Sequence, residues 1–119
     1  MSSGSKGDFV HLHVHTEYSM LDGAARLGDI FDRTAELGMS AIAMTDHGNV
    51  FGAYDFWSKA RDKGIKPIIG MEAYFTPNTP RQERKRVRWN DGGQDDVSGS
   101  GAYTHMTLLA ENTTGMHNL

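Results

Sequence analysis

Three histidines, His11, His13 and His15, fall within five consecutive residues, and the chain holds six histidines among its 119 residues. Imidazole is the commonest protein ligand for transition metals, and mixed with carboxylates it suits zinc, manganese or iron. The carboxylates for such a mixture are present: Asp22 follows the histidine run, Asp46 precedes His47, and Glu72 and then His105 lie farther along. A set of that size can hold more than one ion. Two adjacent divalent cations would generate hydroxide near neutral pH and stabilise both the attacking and the leaving oxygen of a phosphodiester, so these residues point to phosphoester hydrolysis. Each residue also has a plainer use. A lone histidine at a strand end, as at His105, is more often simply hydrogen-bonded. Asp22 before Gly23 reads equally as a helix N-cap, and Asp46-His47-Gly48 as a turn. Glu72 sits among apolar residues, where an unpaired carboxylate is costly, and so requires a cation, either a metal or a basic side chain. His117 fits no pattern and reads as exposed.

Alternating elements must carry these groups. Phe9 to His15 reads as a strand whose alternation would put His11, His13 and His15 on one face, with Leu12 and Val14 opposite. Asp22-Gly23 then opens a helix, because Leu27, Ile30, Phe31, Thr34 and Leu37 recur at three- and four-residue steps until Gly38 stops the pattern. Ser40 to Thr45 is an apolar run of strand length. A second helix follows, with a buried stripe of Val50, Ala53, Tyr54, Trp57 and Ala60, a cap at Asn49 and a stop at Lys63-Gly64. On that helix Tyr54, Phe56 and Trp57 read as core or barrel-surface residues. A third strand starts at Lys66 and continues towards Phe75. Gly38 and Gly64, Ile42 and Ile68, and Asp46 and Glu72 are each 26 residues apart, which marks a repeated helix–glycine–strand–carboxylate unit. Strands alternating with helices imply a parallel sheet or barrel, with functional residues at the carboxyl ends of the strands.

The remaining segments set limits. Residues 1–7 form a polar, glycine- and serine-rich tail, read as disordered and without the apolar core of a signal peptide. Residues 8–119 read as one domain, interrupted by a mobile loop at about residues 78–101. Within that loop Arg81, Arg84, Lys85, Arg86 and Arg88, offset by Glu83, make a net +4 beside Trp89. Such a run either holds a nucleic-acid backbone or is a solvated loop balanced by Asp91, Asp95 and Asp96. Tyr103 to Ala110 resumes strand character, and Thr113-Thr114 opens a last helix. Three or four βα units cannot close a barrel, so the chain reads as truncated at its carboxyl end. A net charge of −3 argues against a chain-wide nucleic-acid or membrane footprint, and zero cysteines exclude disulfides and thiolate chemistry. The absence of an apolar run of spanning length fits a cytoplasmic protein with no membrane partner.

Four ordered stretches, Phe9 to Ala24, Met44 to Asn49, Gly64 to Tyr74 and Tyr103 to Asn112, resemble the PHP (polymerase and histidinol phosphatase) domain. The four residues Tyr18-Ser19-Met20-Leu21 before Asp22 favour the branch at the amino terminus of bacterial C-family replicative polymerases, the DNA polymerase III alpha subunits, over free-standing phosphatases. The resemblance implies an α/β fold, a PHP-type distorted (β/α)7 barrel of which only the first three to four βα units would be present. It implies metal ligation by His13, His15, Asp22, His47, Glu72 and His105, with His11 outside the usual pair. Asp46 matches a motif position with a catalytic part, orienting His47 or a water. Two or three divalent metal ions, zinc or manganese, are the implied cofactors, with magnesium for the parent polymerase. The implied activity is metal-dependent 3′-5′ proofreading exonuclease within a DNA-directed DNA polymerase, the fragment alone being inactive. The implied partners are a DNA primer-template and other replicase subunits, including the sliding clamp. A non-catalytic scaffold that stabilises the polymerase and docks partner subunits, or a PHP-family phosphatase, stands as the alternative.

Overall fold

A computed structural model describes residues 9–76, 80–82 and 103–119. The 1–7 tail lies outside them, as does the 78–101 loop with its basic run, apart from residues 80–82. In chain order the elements are α1 (Leu27–Glu36), β1 (Ala41–His47), α2 (Ala53–Asp62), β2 (Lys66–Phe75), β3 (Thr104–Leu109) and α3 (Thr113–Asn118).

Helix α1 forms where the apolar residues recur, and it buries Leu27, Phe31 and Thr34. Its amino end is served from a distance, because the Leu27 N–H donates to the Glu17 carboxylate at 3.1 Å and Asp22 is not the cap. Gly38 and Gly64 end α1 and α2 with φ of 70° and 66°, the left-handed conformation that glycine adopts without a Cβ penalty. The repeat read from the sequence is therefore a repeat of structure.

Helix α2 is rotated from its expected face. Its buried residues are Ala53, Phe56 and Ala60, while Tyr54 is 77% and Trp57 40% exposed. Ala53 and Ala60 belong to both the expected and the observed stripe, and Phe56 takes the buried place between them that was expected of Tyr54 and Trp57, with α2 lying against β2. Trp57 and Tyr54 instead rest on each other at 5.8 Å, with the Arg61 guanidinium 4.8 Å above the Trp57 ring. Asn49 is not the cap either. Its Oδ1 accepts from the Phe51 N–H and its Nδ2 donates to the His47 carbonyl, which makes a turn ahead of the helix.

The core lies between β1 and the two helices. Leu27, Phe31, Ile42, Met44, Ala53, Phe56, Ala60 and Ile65 form one buried cluster, with the Phe31 and Phe56 rings 4.9 Å apart. Strands β1 and β2 pair in parallel with His47 opposite Glu72. Strand β3 joins the far side of β2 antiparallel, with Tyr74 opposite His105. An all-parallel sheet does not contain that last pairing. A parallel return needs a crossover, usually a helix, and the sequence between Pro77 and Gly101 has no helical periodicity to supply one.

The segment from Phe9 to His15 is extended and lies along β1, yet it is not a regular strand. The Ala43 and Thr45 N–H groups, two residues apart, donate to the carbonyls of His11 and Val14, three residues apart. One residue more than a regular ladder accepts is thus inserted, and strict alternation is lost across it.

Candidate metal centre

Register places the site. His47 and Glu72 are partners on neighbouring strands, Tyr74 follows Glu72 by two residues, and His105 is the partner of Tyr74. All four therefore stand on one face of the sheet, opposite the Ile42–Met44 face that packs on the helices. His13, His15 and Asp22 reach the same place from the segments before α1.

Glu72 is the hub. Its Oε2 lies 2.6 Å from His13 Nε2 and also in contact with His15 Nε2, and its Oε1 lies 3.0 Å from His105 Nδ1 and 3.9 Å from His47 Nδ1. Asp22 Oδ2 joins the second nitrogens of two of these rings, at 2.7 Å from His47 Nε2 and 3.3 Å from His15 Nδ1. Three overlapping groups result: His13, His15 and Glu72; His15, Asp22 and His47; and His47, Glu72 and His105. Within each group the ligand atoms lie no more than 4.8 Å apart, near enough to hold a metal ion.

The six residues proposed from the sequence as ligands are thus brought together. His11 is not among them. The inserted residue turns it away, so the expected convergence of three imidazoles is a convergence of two. Its ring packs edge-on against Phe9 at 4.8 Å, and it lines a separate hollow with Val14, Ile30 and Met39.

Asp46 also stands apart. Adjacent to His47 on β1, it points to the opposite face and is fully buried. Its Oδ1 accepts from the Thr16 N–H at 2.6 Å and the Ser19 hydroxyl at 2.8 Å, and its Oδ2 accepts from the Thr16 hydroxyl at 2.7 Å. The Ser19 oxygen in turn accepts the His47 N–H at 3.2 Å. By these contacts Asp46 clamps the turn between His15 and Asp22 onto the strand that carries His47. Thr16 and Ser19 were not singled out in the sequence. The signal for them was Asp46 itself, since a buried carboxylate demands donors and these hydroxyls flank the motif.

Gly23 completes the clamp. A Cβ there would lie 1.9 Å from the Thr16 carbonyl oxygen, so only glycine lets the chain turn back beside Thr16 after Asp22.

The electrostatics fit a cation. Burial alone would raise the Glu72 pKa, but hydrogen bonds from His13 and His15 and the charges of His47 and His15 outweigh it, holding the carboxyl below the ordinary range. Every ion-pairing partner of Glu72 and Asp22 among the described residues is an imidazole. A neutral imidazole donates from one nitrogen only, yet His15 presents both nitrogens to carboxylate oxygens. Unless the ring is protonated, one contact sets lone pair against lone pair, an arrangement that a cation between them would relieve. His105 Nε2 is buried without a hydrogen-bond partner among the described residues.

The family model described as PHP domain matches residues 11–119. The DNA polymerase III subunit alpha of Mycobacterium tuberculosis is 57% identical over 122 residues, spanning 100% of this chain and 10% of the relative. The protein of the same name from Thermus aquaticus is 49% identical over 118 residues, spanning 98% of this chain and 9% of the relative. The chain thus spans about a tenth of the length of the curated relatives it matches. A solved amidohydrolase from Chromobacterium violaceum aligns with a TM-score of 0.49 at 28% identity, over 56% of this chain and 23% of that one. With the family model covering nearly all of its length, the chain belongs to the PHP-domain family.

Proposed function

We propose that this chain is the metal-binding part of a bacterial replicative polymerase alpha subunit, and that its PHP domain removes misincorporated nucleotides as a 3′-5′ exonuclease. The observation that carries this reading is the convergence of four imidazoles and two carboxylates in three overlapping groups around Glu72. The names of the relatives, DNA polymerase III subunit alpha, support the replicative setting.

The ligands are His13, His15, Asp22, His47, Glu72 and His105, and the cofactors are two or three divalent ions, zinc or manganese. Bound there, such ions supply hydroxide near neutral pH and neutralise charge on the phosphodiester. The chain's own residues do the rest. Glu72 and Asp22 fix the imidazole orientations, and Asp46 with Thr16 and Ser19 keeps the His15–Asp22 turn in register with β1. In the parent chain this site acts beside a magnesium-dependent polymerase, on a DNA primer-template in the cytoplasm, with other replicase subunits and the sliding clamp as partners.

The test uses the intact polypeptide that carries the domain, given a 3′-mismatched primer, against its His13→Ala and Asp22→Ala variants. Exonuclease activity is expected to fall by about a hundredfold or more while polymerase activity is kept, since even the outer partners of metal ligands matter 10–100-fold. An intact protein with no exonuclease activity would leave the domain as a scaffold that docks partner subunits. Phosphate release from a monoester in its place would make it a phosphatase.

A further inference from the structure

Beside the six ligands stands an aromatic group that metal binding does not require. Tyr74 lies on the ligand face of β2, 53% exposed, with its ring within 11° of parallel to His47 at 6.5 Å and tilted against His105 at 5.3 Å. Tyr103 meets Tyr74 edge-on at 4.7 Å and His105 at 5.7 Å. Two tyrosines thus form a corner whose floor is two of the ligands.

The corner is held in place. Gly48 has a φ of 62°, and a Cβ on it would come within 2.6 Å of Tyr74 Cε2, so the ring lies directly on the glycine backbone. Tyr74 is pinned from below and half open among the described residues, beside the place where a phosphodiester would react.

We propose that Tyr74, with Tyr103 at its edge, is a stacking subsite for the nucleobase of the nucleotide whose phosphate reaches the ligand cluster. The inference rests on the phosphodiester reading above and adds the part of the substrate that is recognised. One sugar separates a base from its phosphate, a spacing of the same order as the 5.3 and 6.5 Å between Tyr74 and the two imidazoles. Stacking accepts any base, because every base offers a π-face. The subsite would therefore bind a nucleotide end without reading its sequence.

The experiment compares the intact metal-loaded polypeptide with its Tyr74→Leu, Tyr74→Phe and Gly48→Ala variants on primers ending in a normal or an abasic 3′ nucleotide. Tyr74→Leu is expected to raise KM for the base-bearing end about 5- to 100-fold, the range that loss of one stacked base produces. The loss on the abasic end should be at least about fivefold smaller than on the base-bearing end, and Tyr74→Phe, which keeps a ring there, should lose less than Tyr74→Leu. Gly48→Ala, which puts a Cβ under the ring and strains the backbone next to His47, should instead lower activity on both ends. Calorimetric binding of deoxyadenosine monophosphate against deoxyribose 5-phosphate gives a readout that does not depend on turnover. The parent should favour the nucleotide and Tyr74→Leu should not. Equal binding of the two ligands by the parent, or equal loss of kcat on both primers in Tyr74→Leu, would overturn the proposal and leave Tyr74 a prop for His47. Tyr74-dependent nucleotide binding without hydrolysis would sink the exonuclease reading and uphold the subsite.

Discussion

Glu72 is 5% exposed and ionised, with His13, His15, His47 and His105 as its partners. Its carboxyl is held below the ordinary range in the fold, so the ionised form stabilises the folded chain. The sign follows: that contribution is present above the ordinary carboxylate range and is lost as the pH falls through the lowered folded value. In metal-free protein, Glu72→Gln is therefore expected to flatten the acid limb of a stability-against-pH curve from urea titrations. An unchanged acid limb would mean that the imidazoles do not hold the carboxylate. Metal affinity should also fall on acidification, because protons compete with cations for the imidazoles and carboxylates.

At the scale of elements, the two aromatic rings Phe31 and Phe56 join α1 to α2 and both to β1. Phe56→Ala is expected to cost about 3–5 kcal/mol, the usual loss for a buried aromatic, read from denaturant midpoints. Trp57→Ala, on the exposed face, should cost far less. That contrast separates what was legible in the sequence from what was not. The helices and the parallel strand pair could be read because apolar periodicity and terminating glycines are local signals. The place of Phe56 could not, since beside the shared Ala53 and Ala60 it competes with Tyr54 and Trp57 at helical spacing, and tertiary space decides between them. The direction of β3 was likewise hidden, being set by a connection without periodicity. Eight candidates stood out, because histidines and carboxylates near strand ends are few and chemically distinctive, and the resemblance to the PHP domain narrowed them to six. Thr16 and Ser19 did not, because hydroxyls occur everywhere and their importance appears only once Asp46 is known to be buried. His11 was misplaced for one reason, the inserted residue, which no alternating pattern reveals.

Across the whole molecule, apolar side chains remain uncovered on the outer part of the sheet. Phe75, Met106, Leu108 and Leu109 are each between 37% and 42% exposed, and no helix among the described residues is long and apolar enough to cross a membrane. A surface of that kind is ordinarily covered by protein. A polypeptide of these 119 residues alone is expected to bind a hydrophobic dye and to melt broadly, whereas the same stretch covered by further polypeptide should do neither. A sharp two-state melt of the isolated stretch would show that the sheet needs no cover.

Asp46 and His47 are consecutive, and β1 sends them to opposite sides: the first into a dry clamp with Thr16 and Ser19, the second into the ligand cluster. The clamp and the candidate ligands are therefore separate sets of residues, although the ionised Glu72 also adds to the stability of the fold. A mutational path can exchange the ligands one at a time and leave the clamp and the aromatic core whole. Loss of a ligand from this scaffold would then weaken ion binding without dissolving the clamp.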